Sequence, residues 1–135
     1  MKIMIDQGGF MPERAHDTDA GLDLRSPVST WVHPFEHCVI DTGVHVAIPA
    51  GYVGLITSKS GLMAKGITCR GTIDSGYTGS IKAVLYNHGA EGYGIHRYDK
   101  ICQLVLLPII TPELEVVDTL DETERGENGF GSSGR

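Results

Sequence analysis

The sequence predicts an all-β sandwich or barrel with one short helix and a flexible C-terminal tail. Two observations carry the β assignment. The 18 glycines and 6 prolines are spread along all 135 residues, and between them lie short runs in which apolar, often β-branched residues alternate with polar ones, the period of a half-buried strand. A third observation supplies the exception: helix grammar occurs only in Ser58–Gly66. The length suits a single domain that buries roughly two-thirds of its unfolded surface, and short turns favour antiparallel pairing.

Ile3 and Ile5 alternate with polar neighbours and predict a first strand, with Pro12 ending any continuation. Asp17, Asp19 and Asp23 have the opening spacing of a calcium loop, but Leu22 stands where that loop needs glycine and Val28 where it needs glutamate, which excludes it. In Ala20–Ser26, Leu22 and Leu24 fall on one face and Asp23 and Arg25 on the other. Asp23 is therefore predicted on an open face, either serving a site or solvated and paired to a cation such as Arg25.

His33 and His37 have the spacing of two metal ligands, yet Pro34 denies them a helix and no third ligand follows, so a surface loop is predicted. Val44, Val46 and Ile48 alternate, Pro49–Gly51 turns, and Tyr52–Thr57 is read as the returning strand of a hairpin. In Ser58–Gly66, Ser60 is the predicted cap, Leu62, Met63 and Ala64 favour helix and Gly66 stops it. Such an N-terminus beside Lys59 is either a seat for phosphate or an ordinary cap.

Arg70–Gly79 reads as the turn of a hairpin whose second strand is Ser80–Tyr86, with Gly71, Gly76 and Gly79 allowing positive φ. Asp74 and Tyr77, three apart, offer a base for water and an aromatic plate for a sugar. The same spacing is that of a plain turn whose aspartate caps its own backbone. Asn87–Gly94 is predicted as loop, Lys100–Ile110 as an apolar strand interrupted by Gln103, and Leu114–Val117 as one more short strand. Gln103 is either satisfied in the core or aimed at a ligand. Residues 122–135 are too polar to fold alone, so the division is a body over 1–121 and a tail over 122–135. With Phe130 among glycines and hydroxyls and Arg125 upstream, the tail is either flexible or a lid over a nucleotide.

A formal net charge of −6 argues against a general nucleic-acid or anionic-membrane surface, so phosphate must be held locally. Met1–Phe10 lacks a basic start with an apolar core, and no run reaches the roughly 20 apolar residues of a bilayer span; a cytoplasmic protein is expected. Cys38, Cys69 and Cys102 fit neither a disulfide framework nor a metal motif and are expected as small, buried thiols.

Five segments in order resemble the motifs of the trimeric dUTPase family across nearly the whole chain: Ala20–Leu24, Ser58–Gly61, Gly71–Gly79, Asp99–Gln103 and Arg125–Gly134. The resemblance implies a jelly-roll fold and a homotrimer with sites shared between subunits. It implies Mg²⁺-assisted hydrolysis of dUTP to dUMP and pyrophosphate, which limits uracil incorporation into DNA and supplies dUMP for thymidylate synthesis. Carried over by position, Asp74 activates the attacking water and Tyr77 packs under the deoxyribose. Backbone around Gly71, Thr72 and Ile73 reads uracil. Lys59, Ser60, Gly61 and Gln103 hold phosphates, Lys82 lies near the substrate, and Arg125, Phe130, Gly131 and Ser132 close the lid. Asp23 reaches the Mg²⁺ through water. Lys59 and Lys100 stand where the family usually has arginine, a point charge in place of a fork. The link from Gly66 to Asp74 is shorter than in most relatives and lacks the asparagine with which many contact uracil. The related dCTP deaminases share this fold, but the Phe-containing tail and the Asp74 hairpin favour a dUTPase. A binding or regulatory role on the same scaffold also stays open.

Overall fold

The structure, a computed structural model, describes residues 1–129. In it, β1 (Lys2–Ile5), β2 (Gly21–Arg25), β3 (Thr30–Val32), β4 (His37–Asp41), β5 (Val44–Ala47), β6 (Tyr52–Thr57), α1 (Ser60–Met63), β7 (Ile67–Ile73), β8 (Lys82–Asn87), β9 (Tyr93–Ile95) and β10 (Lys100–Pro108) follow one another. A six-stranded antiparallel sheet in the order β2-β10-β6-β7-β8-β4 curls round the core. The pairs β1-β5 and β3-β9 contribute Val44, Val46, Val32 and Ile95 to that same core. This is the all-β architecture that the alternating runs predict and the jelly roll that the family resemblance implies.

Leu24, Ile67, Ile81, Leu85, Ile101 and Leu104 are fully buried, each contributing about 1.5–3 kcal/mol of transfer free energy. β10 is the spine, paired to β2 on one edge and β6 on the other. A register shift between Lys100 and Cys102 lets the adjacent Ile101 and Cys102 both point inward, as a bulge does when it re-aims a strand.

Several expectations are corrected. The Val44–Thr57 hairpin does not form, because β5 pairs with β1 while β6 pairs with β10 and β7. Val46, Ile48 and Ile56 all bury inward, and alternation alone does not separate strands that face each other across a core from strands that share a ladder. Ser60 is not the cap: Lys59 holds that position without a side-chain bond, although Gly66, at φ +79°, ends the turn as expected. Gly71, Gly76 and Gly79 are not among the positive-φ residues. Leu114–Val117 is exposed and forms no strand. β9 arises where a loop was expected, and β3 and β4 lie where no strand was expected; β3 and β9, at three residues each, are too short to show alternation. Cys69 and Cys102 are buried and Cys38 half-buried, all as free thiols.

Candidate active site

β2 brings Asp23 to the row in which Gln103 of β10 and Thr57 of β6 also lie. The predicted open face is wrong, since the carboxylate is only 3% exposed. Lys59, just past β6, donates to Oδ1. Lys100 Nζ stands 2.7 Å from Oδ2. Arg25, the expected partner, pairs instead with Glu13 at 3.6 Å. Burial raises the Asp23 carboxyl, but Lys100 and Lys59 outweigh it and hold the pKa below the ordinary 3.8. The signal missed in the sequence was Lys100, which the bulge in β10 aims at β2.

Gln103 is half-buried, its Nε2 3.5 Å from the Ser58 carbonyl. Gly21 makes room for it, because a Cβ there would land on the Gln103 amide. Ser58 Oγ in turn accepts from the Cys69 amide at 2.8 Å and donates to its carbonyl at 3.1 Å, which pins the Ser58–Gly61 segment to β7. Ser60 and Gly61 are exposed on the helical turn.

The second group lies at the other end of β7. Pairing between β7 and β8 stops at Cys69–Leu85, after which β7 runs on to Ile73 along β6 and β8 turns to β4. The predicted hairpin is thus splayed, and Thr72 and Ile73 border its mouth, while Gly71 lines the neighbouring recess with Ser58 and Gln103. A recess of about 250 Å³ there is lined by Thr72, Ile73, Asp74, Tyr77, Ser80 and Lys82. Asp74 is exposed, and its carbonyl accepts from the Tyr77 amide at 3.0 Å. Tyr77 Oη donates to the Ser80 carbonyl at 2.9 Å, which stands the ring across the loop. Lys82 pairs with Asp41 at 3.3 Å.

Ser58 and Gln103 share a recess of about 730 Å³ with Gly71 and Thr72, but strand spacing keeps Asp23 and Asp74 apart within one chain. Arg70 is level with Thr57, so Asp74 lies about 13 Å further along β7, and Asp23 is three strands, about 14 Å, to the side. Arg125 bonds the Asn128 carbonyl at 3.0 Å within its own turn. Phe130, Gly131 and Ser132 lie outside the described residues.

The profile of the dUTPase family matches residues 8–134. The chain belongs to the dUTPase family. Its similarity to the deoxyuridine 5'-triphosphate nucleotidohydrolase of Anaplasma marginale is 44% identity, over 99% of this chain and 97% of the relative. With that of Escherichia phage T5 it is 40%, over 99% and 98%. Among solved structures, the dUTPase of Staphylococcus bacteriophage 80alpha with dUpNHpp superposes at TM-score 0.94 and 36% identity, over 99% of this chain and 98% of that one. A variant dUTPase of S. aureus phage phi11, described with a structural Mg(II) ion, superposes at 0.81 and 35% identity, over 87% and 96%.

The donor set of this dUTPase bears on the Mg²⁺ that the resemblance implies. Among the described residues no group of three or more His, Cys, Asp or Glu could hold a metal. One carboxylate between two ammonium groups carries a surplus of positive charge, so the Asp23 cluster suits an anion better than a bare cation. It fits Mg²⁺ as a hydrated ion already bound to phosphate, with the Asp23 carboxylate, held between Lys59 and Lys100, facing a water of its shell. No helix among the described residues is long and apolar enough to cross a membrane.

Proposed function

We propose that this chain hydrolyses dUTP to dUMP and pyrophosphate at a site shared between copies of a homotrimer. The observation that carries the reading is the splayed β7–β8 mouth, which sets one exposed carboxylate and one aromatic ring beside strand backbone. In this reading Asp74 takes the proton of the water that attacks the α-phosphorus, and Tyr77 packs under the sugar where a 2′-hydroxyl would clash. The backbone of Gly71, Thr72 and Ile73 reads the uracil edge, and Lys82 lies near the substrate. Lys59, Ser60, Gly61 and Gln103 hold the phosphates, with Asp23 keeping the lysines in place. Mg²⁺ carried on the triphosphate would neutralise charge on its oxygens. Residues 1–121 act as the body and 122–135 as a lid, in which Arg125, Phe130, Gly131 and Ser132 close over the nucleotide.

Two observations support the sharing. By strand spacing, the Asp23 cluster and Asp74 of one chain are offset by about 13 Å along β7 and about 14 Å across the sheet, too far to flank one α-phosphate. The arm after β10 leaves Leu114 94% and Val116 97% exposed, alternating with Glu113 and Glu115. That is strand pattern without a partner, which a neighbouring copy would supply. The test is incubation with dUTP, dCTP, dTTP and UTP, with and without Mg²⁺, assaying pyrophosphate and ammonia. Pyrophosphate from dUTP alone is expected; ammonia from dCTP, or comparable kcat/KM on dTTP, overturns the reading.

A further inference from the structure

The loop that carries Asp74 and Tyr77 is tied to the body by groups outside the machinery named above. The Thr78 carbonyl faces His45 Nδ1 at 2.8 Å, and the other ring nitrogen, Nε2, faces Asp6 Oδ2 at 3.0 Å. Two residues on, Ser80 Oγ donates to Asp41 Oδ2 at 2.9 Å. A peptide carbonyl has no proton to give, and neither has an ionised carboxylate, so both ring nitrogens must donate. A neutral imidazole has one N–H. Only the imidazolium satisfies both partners at once.

We propose that His45 is a positioning residue and a pH-sensitive clamp, holding the Tyr77–Thr78 turn while doubly protonated and releasing one partner when it loses a proton. The inference rests on reading that turn as part of the dUTP site. His45 sits on β5 opposite Met4 of β1, its side chain 17% exposed against 54% for Asp6. The groups facing it are few. Asp6 reaches it from the end of β1, and Lys2 lines the same recess with Val46 and Thr78. Asp41, at the end of β4, is occupied by the Gly43 amide, Ser80 and Lys82. The Thr78 carbonyl does most to raise the ring above its ordinary 6.5, Asp6 adds to this, and desolvation opposes it. Because the folded value is raised, the clamp is complete below 6.5 and is lost as pH rises through the folded value.

The test begins without catalysis, by ¹⁵N NMR titration of the His45 ring. Both nitrogens should be protonated well below 6.5, titrate above it, and move the Tyr77 and Thr78 amide signals with the same midpoint. Across that midpoint KM for dUTP should rise roughly threefold to tenfold, about what one modest hydrogen bond contributes, with kcat less affected. His45→Gln, whose amide donates at every pH, should flatten the step; His45→Phe should sit on the high-KM plateau throughout. A midpoint at or below 6.5, a single neutral tautomer in acid, or a wild-type step surviving in His45→Phe overturns the proposal. If His45→Phe does not fold, Asp6→Asn replaces it: the ring must then titrate lower, and an unchanged midpoint overturns the clamp. A protein that titrates as described but leaves dUTP intact refutes the dUTPase reading and not the clamp.

Discussion

Replacing Asp23 by asparagine removes the one negative charge from a cluster built around it. The carboxylate is 3% exposed, and the lysine side chains that face it keep 28% and 35% exposure. Removing one partner of a fully buried pair costs about 3–5 kcal/mol, because the other charge is left stranded. Here both lysines reach water, which screens part of that cost, so about 2–4 kcal/mol is expected. Asparagine is nearly isosteric, so no cavity adds to this. A domain of this size shifts by about 3–5 °C per kcal/mol, giving a fall in Tm of about 6–20 °C. The measurements are urea unfolding for the free energy and thermal unfolding for Tm, both at one fixed protein concentration, since association shifts the apparent midpoint. The folded pKa of Asp23 is depressed, so wild type holds this stability above 3.8 and loses it as pH falls through the folded value. The gap between wild type and Asp23→Asn should therefore close in acid. Adding Lys100→Met to Asp23→Asn should recover part of the loss by removing one stranded cation. A single variant within about 0.5 kcal/mol of wild type, with a strictly additive double variant, would refute the picture of one desolvated, mutually dependent unit.

Asp74→Asn should leave unfolding unchanged, because the side chain is exposed, while kcat on dUTP falls roughly 10²- to 10⁴-fold with the loss of a general base; near wild-type turnover removes Asp74 from that role. Phe130→Ala should weaken nucleotide binding by roughly 1–3 kcal/mol, by analogy with base–aromatic stacking, with little change in Tm; a large fall in Tm would put Phe130 in the core. Asp74→Ala chains and chains cut after Glu124 should each be nearly inactive, yet mass-verified mixed trimers should regain a fraction of wild-type rate. Mixed trimers no more active than either parent would rule out a shared site.

What was legible in the sequence followed from how strongly each segment constrains its own neighbourhood. Ile3 and Ile5, Leu22 and Leu24, and the Lys100–Pro108 run all show alternation or sustained apolarity, and all became strands. Strand partners were less legible, as β5 and β6 show: their inward residues Val46 and Ile56 meet the core from different layers, a relation that no local pattern encodes. Thr30–Val32 and Tyr93–Ile95 are three-residue strands whose existence depends on pairing with each other across some sixty residues of chain. Within the candidate recess, Asp74 and Tyr77 were paired from their spacing because they are close in sequence, and Lys82 was named only through the family resemblance. Asp23 was placed on the wrong face because its two lysines, 36 and 77 positions away, give a buried carboxylate the partners that alternation cannot count. His45 was missed for the same reason: its partners Asp6 and Thr78 become neighbours only when β1 and β5 pair beside the Tyr77 turn.

The placement of the two half-sites also bears on why the chain is built from β7 outward. Ser58 Oγ and the β6 pairing fix the Ser58–Gly61 segment, the proposed phosphate seat, beside the start of β7, and the splayed mouth holds Asp74, the proposed base, past its end. A rigid strand holds these ends apart by about 13 Å, so no loop motion within one copy brings Lys59 to Asp74 without breaking the sheet. On the proposed shared-site reading a second copy brings the halves together, and the uncovered Leu114–Leu120 arm is the apolar surface proposed for that association. Because the arm follows directly from β10, the same strand that carries Lys100 and Gln103, docking it on a neighbour would set the phosphate-binding row in register with that neighbour. On this reading, assembly and site formation are one event, governed by the rigidity of the two strands.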